Sequence, residues 1–190
     1  MVEFVAMFGG AKPTAFAVAT ANDPATGLPA VSSVASTPAN SPAPDRLLYY
    51  AVNHYFANGG GPCYVLSLGA YSKPVAKADF LTALGLLALE DEPTLIVLTD
   101  AVLLQTADYF EVAQKALAQC STLQDRFTIL DVPGGDVAAF RNGIGTDDLS
   151  YAAAYHPYLR TSLNFVFDET GVQVTNSDAP TARTLPWRSS

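Results

Sequence analysis

From Asp45 onward, helical stripes of apolar residues alternate with short, unbroken apolar runs. In "DRLLYYAVNHYFANGG" the residues Leu48, Val52, Tyr55 and Phe56 share one helical face. Asp45, just after Pro44, predicts the N-cap, and Gly59 after Asn58 predicts the stop. "CYVLSLG" then reads as a continuous apolar strand covered on both faces. "KADFLTALGLLALEDE" predicts an amphipathic helix closed by Pro93, and "TLIVLTDA" a second two-sided strand. "DYFEVAQKALAQCSTLQ" predicts a helix with Phe110, Ala113, Leu117 and either Ala116 or Cys120 on one side. "RFTILDVPGG" is a third strand, and "DVAAFRNG" a short helix capped by Asp136 and stopped by Gly143. Strands alternating with helices imply right-handed crossovers, a largely parallel sheet and helices on both of its faces.

The flanks have a different rhythm. Residues 1–43 carry only Glu3, Lys12 and Asp23 as charges. "FAVATANDPATGLPAVSSVAS" predicts two β runs around a turn, an irregular hairpin lobe. "TPANSPAP" reads as a linker, since closely spaced prolines block both helix and ladder hydrogen bonds. Beyond the core, Pro157 in "DLSYAAAYHPYLRT" limits a helix and favours an extended exit. "LNFVFDETGVQVT" predicts a hairpin with Phe165 and Phe167 before a "DETG" turn, and "NSDAPTARTLPWRSS" reads as a poorly ordered or truncated tail. The expected domains are therefore a β-rich lobe and linker over 1–43, an α/β core over 44–175, and a tail over 176–190.

Composition narrows the options. Of the 190 residues, 49% are hydrophobic and 15% charged, enough apolar surface for a core and too little charge for disorder. The formal net charge of −8 disfavours nucleic acid, which needs Lys and Arg to neutralise its phosphates. Cys63 and Cys120 lack metal-ligand spacing and read as buried free thiols in a reducing compartment. No signal peptide is expected, because Glu3 interrupts the start. "FLTALGLLALE" is too short to span a bilayer, so a soluble, cytoplasmic chain is expected.

The candidate chemistry is sparse. Asp100 and Asp131 end two expected strands, where ligands of parallel sheets bind; they could hold a divalent metal or a ribose, or simply cap the following turn. The glycines Gly59, Gly60 and Gly61 follow a helix and precede a strand, the reverse of a phosphate loop. "DVPGGD" has the right order, but it lacks the lysine, and Asp136 would repel phosphate. His54 and His156 are the only histidines, and with no G-x-S-x-G elbow neither finds a nucleophile to serve. Packing and stacking roles suit them better.

Five elements in order carry a resemblance. They are "MVEFVAMFGGA", "AVNHYFANGGGPCYVLSLG", "EDEPTLIVLTDA", "LAQCSTLQDRFTILDVPGG" and "DLSYAAAYHPYLRT". Together they resemble the sheath proteins of contractile phage tails, R-type pyocins and related contractile injection systems. The likeness is firm from about Asp45 to Thr161 and thinner before it. It rests on Phe56, Asn58, Gly59, Gly60, Tyr64, Val65, Asp100, Arg126, Asp131, Pro133, Ser150, Tyr151, Ala153, Tyr155 and Pro157, as structural positions. The family's "PPSG…AGvya" continuation after Val174 and its "NvRRl" helix are missing, which implies a fragment or a shortened member.

The resemblance implies a subtilisin-like α/β core, a three-layer sandwich with a largely parallel central sheet, a small β-rich lobe and a C-terminal hairpin. It implies a structural protein rather than an enzyme, with no catalytic residue, metal or cofactor. Its partners would be other sheath subunits in a helical array, the inner tail tube and the baseplate, with no nucleic acid and no membrane insertion. Lacking the family's terminal arms, this chain is expected to be monomeric alone. Its place would be the cytoplasm during assembly and then a virion tail or tail-like particle. The alternatives are a small α/β enzyme or nucleotide- or metal-binding domain using Asp100 and Asp131, and a non-contractile adaptor or baseplate relative.

Overall fold

The computed structural model describes residues 1–37, 46–168, 172–176 and 179–184. The linker expected at "TPANSPAP" and the N-cap expected at Asp45 lie almost wholly outside them. The protein is mixed α/β, with helices and two small sheets, one of them parallel. Its described residues divide into two compact units. One comprises Met1–Gly9 with Leu47–Ser162; the other draws on Gly10–Arg46 and Leu163–Ser190.

The first unit contains helices α1 (Val2–Phe8), α2 (Leu48–Ala57), α3 (Lys77–Leu87), α4 (Thr106–Leu123) and α5 (Val137–Gly143). Its strands are β3 (Leu95–Val97), β4 (Phe127–Asp131) and β5 (Ala152–Tyr155). All three strands run parallel, in the spatial order β3-β4-β5. Strands added in sequence order in one direction put every right-handed crossover on the same face. The main core reflects this. Tyr109, Val112, Ala113, Ala116, Leu117 and Cys120 of α4 pack with Phe80 and Leu84 of α3, Phe140 of α5, and Ile96 and Leu130 of the sheet. The opposite face is poorly covered: Leu95 and Val97 are 60% and 59% exposed.

Helix α4 is the central element of this unit, and its contacts are specific. Its Tyr109 hydroxyl donates to the Asp131 carbonyl at 2.6 Å, and Gln119 Nε2 donates to the Leu84 carbonyl of α3 at 2.6 Å. Cys120 Sγ lies 3.1 Å from Thr128 Oγ1 of β4. Phe110, one turn from the core stripe, stacks against Phe140 with ring centroids 6.0 Å apart. The C-terminal end of α4 turns on Gln124 in the left-handed region.

The segment "CYVLSLG" departs from expectation. It forms no strand; Cys63, Tyr64 and Leu66 are exposed, and only Val65 and Leu68 are half-buried. The hydrophobic run is present, but no neighbouring strand takes up its backbone groups. Cys63 is accordingly an exposed thiol rather than a buried one.

The second unit is a four-stranded sheet ordered β2-β1-β6-β7, from β1 (Ala15–Asn22), β2 (Pro29–Thr37), β6 (Gln173–Asn176) and β7 (Ala179–Thr184). The β1–β2 hairpin matches the expected lobe. Its turn is held by the Asp23 carboxylate, which accepts from the Ala25 amide at 2.7 Å, and by Gly27 at φ 69°. The C-terminal elements differ from expectation. Val174 is paired not with the Phe165–Phe167 run but in parallel with Val18 of β1, while Phe167 bridges to Thr14. Residues 179–184, expected to lie in a poorly ordered or truncated tail, pair antiparallel with β6. The division falls near 162 rather than at 175, because the residues after Leu163 pair with Thr14, with β1 and with one another.

The buried Arg126 guanidinium joins the end of α3 to the start of β4. It donates to the carbonyls of Leu87 at 2.9 Å and Glu90 at 2.8 Å, and forks onto Asp125 at 2.7 and 3.1 Å. Its side chain is 1% exposed. Replacing Arg126 with Leu leaves those carbonyls without their donor, and chemical denaturation should show a loss of about 2–3 kcal/mol. Arg126→Lys should lose part of this, since an ammonium cannot serve both carbonyls and the carboxylate fork.

Candidate functional site

The positions singled out in the sequence fall into four places. The first is the end of α2. Asn58 is the C-cap, and its side-chain amide donates to the His54 carbonyl at 2.7 Å. The Gly59 amide donates to Phe56 at 3.1 Å and the Gly60 amide to Tyr55 at 2.9 Å, the paired bonds of a Schellman stop. Gly59 has φ 84°, which an L side chain resists. A Cβ on Gly60 would lie 2.4 Å from the Tyr55 ring. His54 faces Asn58 across 3.2 Å and Phe56 stacks on Tyr55, so both serve the helix end. The glycine run is a helix terminator.

The second place is the turn after β3. One carboxylate oxygen of Asp100 accepts the Leu47 amide at 2.6 Å. Leu47 is the N-cap of α2, so this acid holds down the entry to a helix 53 residues earlier in the chain. A strand-end acid that caps was one of the two readings open for Asp100. The sequence alone could not name its partner.

The third place is the carboxyl end of β4 and β5. Asp131 ends β4 and stands opposite Tyr155 in the parallel ladder, as Ile129 stands opposite Ala153. Although its carboxylate is reached by solvent, the surrounding protein strips away enough water to push its pKa up. Pro133 opens the following 3-10 turn, in which Gly134 and Gly135 take φ 63° and 72°. His156 Cε1 would lie 3.3 Å from a Cβ on Gly135. Two hydroxyls missed in the sequence hold this turn: Tyr109 donates to Asp131, and Tyr158 donates to the Val132 carbonyl at 2.6 Å. Burial and then the Asp131 charge push the Tyr109 pKa up. No spacing signal points to either tyrosine, since each reaches backbone rather than a side chain. Asp136 caps α5, accepting the Ala139 amide at 2.9 Å.

The remaining positions are peripheral to these. Ser150 and half-buried Tyr151 form the short turn entering β5, Tyr155 is exposed, and Pro157 follows His156 in the exposed exit. The Tyr64 hydroxyl donates to Glu92 Oε2, while Val65 is half-buried beside it. Arg126 sits in its carbonyl clamp, where its guanidinium holds the Asp125 carboxyl below the usual range.

The structure thus brings Asp131, Tyr155 and His156 to one end of the sheet and assigns Asp100 to the start of α2. Among the described residues, no group of three or more His, Cys, Asp or Glu side chains is placed to hold a metal ion. No helix among them is long and apolar enough to cross a membrane. Comparison with family models gave no match, and comparison with curated proteins gave no match either.

Two outcomes follow from these environments. Cys63 is exposed and Cys120 buried, with burial pushing the Cys120 thiol up. A disulfide reagent should titrate one thiol rapidly in the native chain and the second only in denaturant. Asp131 is protonated more readily folded than unfolded, so its contribution to stability is full below the ordinary aspartate range and fades as pH rises through the raised value. Asp131→Asn should therefore gain thermal stability over the parent at neutral pH, and the gap should close as the solution is acidified.

Proposed function

We propose that this chain is the structural core of a contractile tail sheath subunit. It would pack with other copies in a helical array around an inner tube, in contact with a baseplate, and drive the tube through a target envelope on contraction. In that role it is not an enzyme and needs no cofactor. The five ordered elements of the sequence support the reading. One structural observation supports it furthest: several of the positions that carry the resemblance hold elements together. Asn58, Gly59 and Gly60 end α2, Asp100 starts it, and Arg126 closes α3. A body whose contacts with its neighbours change while its core does not needs this kind of internal fastening. The three-layer, subtilisin-like arrangement belongs to the same proposal, as does a place in a phage tail or tail-like particle.

One observation favours a second reading, a small ligand-binding or catalytic α/β domain. The raised carboxyl of Asp131 lies at the carboxyl end of parallel strands, where such domains bind ligands. One set of measurements separates the two. Co-expressed with an inner-tube protein and baseplate, the chain should co-sediment with tubes and appear on them in electron micrographs as an ordered coat. A chain that never associates with tubes, yet is stabilised by Mg²⁺ with a nucleotide in a manner lost on Asp131→Asn, would overturn the sheath reading.

A further inference from the structure

One face of the parallel sheet is open. Ile96 of β3 and Leu130 of β4 pack with α4 and are 4% and 2% exposed. By alternation Leu95, Val97, Ile129 and Asp131 lie on the other face, and the register adds Ala153 and Tyr155 of β5. Ile129 sits in the middle strand with a neighbour on each side, yet it is only half-buried. A covered residue in that position would match Leu130.

This face is apolar along most of its length and acidic at one end. Asp131 and Tyr155 stand side by side at the carboxyl end. Among the described residues, none pairs with the Asp131 carboxylate, and loss of water alone pushes its pKa up. The His156 ring, next in the chain, lies beside Gly135.

The dimensions and the charge select an occupant. Three strands about 4.8 Å apart make a floor about 10 Å wide, the diameter of one helix. From the level of Leu95 to that of Asp131 the strands rise about 13 Å, and helix residues eight apart are separated by about 12 Å. Val97 and Ile129 share the level midway, which a residue four positions along would meet. The unpaired carboxylate favours a cation. A second copy of this chain, with a net charge of −8, would bring mostly more acid.

We propose that this open face docks a basic amphipathic helix of a partner protein. A lysine or arginine of that helix pairs with Asp131. Apolar residues four and eight positions later cover the Val97–Ile129 level and then Leu95. The N-terminal end of the helix faces Asp131, so its dipole adds to the attraction. The inference needs neither the sheath reading nor the ligand-binding one.

A synthetic peptide tests it. The probe has about 16 residues, with K-x-x-x-L-x-x-x-L at its centre and a bridge on its far side to hold the helix. The control has the same composition, with the lysine moved two positions onto the opposite side. Titrated with the full chain and followed by fluorescence anisotropy, the probe should bind several-fold tighter than the control. Asp131→Asn should abolish that preference. Val97→Ser should weaken the probe several-fold and leave the preference in place. Equal binding of the two peptides, a preference that survives Asp131→Asn, or indifference to Val97→Ser would each overturn the proposal, as would no binding of either peptide. Continued resistance of the buried Cys120 to labelling shows that both variants are folded.

Discussion

The α/β unit depends on one buried cation. Arg126 stands at the entry to β4, and its guanidinium gathers the last carbonyl of α3, the Glu90 carbonyl just beyond it and the Asp125 carboxylate into one cluster. A helix end leaves its final carbonyls without partners, and burying them unpaired is costly. The fork of an arginine serves several acceptors at once, and its positive charge also complements the negative end of the helix. The consequence is positional. Residues Thr94 and Phe127 are held so that the Phe127 amide bonds to the Thr94 carbonyl at 2.9 Å, which starts the β3–β4 ladder in register. From there Ile96 and Leu130 face α4.

With that register fixed, the rest of the unit follows from chirality. Three strands laid down in sequence order send α4 and α5 to one face, and α4 becomes the most buried helix. The other face keeps Leu95 and Val97 in solvent. Exposed apolar residues on a sheet are ordinary one at a time; two side by side on an edge strand mark a surface suited to contact.

Much of this was legible in the residues. The apolar stripe of α4, the stop at Asn58–Gly60 and the cap at Asp136 rest on local rules of periodicity and terminal hydrogen bonding, and the structure follows them. What was not legible depends on distance in the chain. "CYVLSLG" has the composition of a central strand, yet pairing needs a partner, and periodicity does not report partners. Val174 looked like half of a local hairpin but pairs with Val18. Asp100 announced a cap but not Leu47, and Tyr109 and Tyr158 gave no signal, because a hydroxyl that seeks a backbone carbonyl leaves no pattern in sequence.

The lobe's sheet has a consequence for how the molecule comes into being. β1 lies against β6 in parallel, and a bond such as that from the Thr20 hydroxyl to the Thr175 carbonyl joins residues 155 positions apart. During synthesis the β1–β2 hairpin leaves the ribosome before helices α2 to α5 and then waits, one edge bare, while they and the parallel sheet are made. Strand β6 closes that edge. The second unit is therefore a late checkpoint: a chain stalled or cut before Gln173 displays an unpaired strand, and one made through Asn176 hides it.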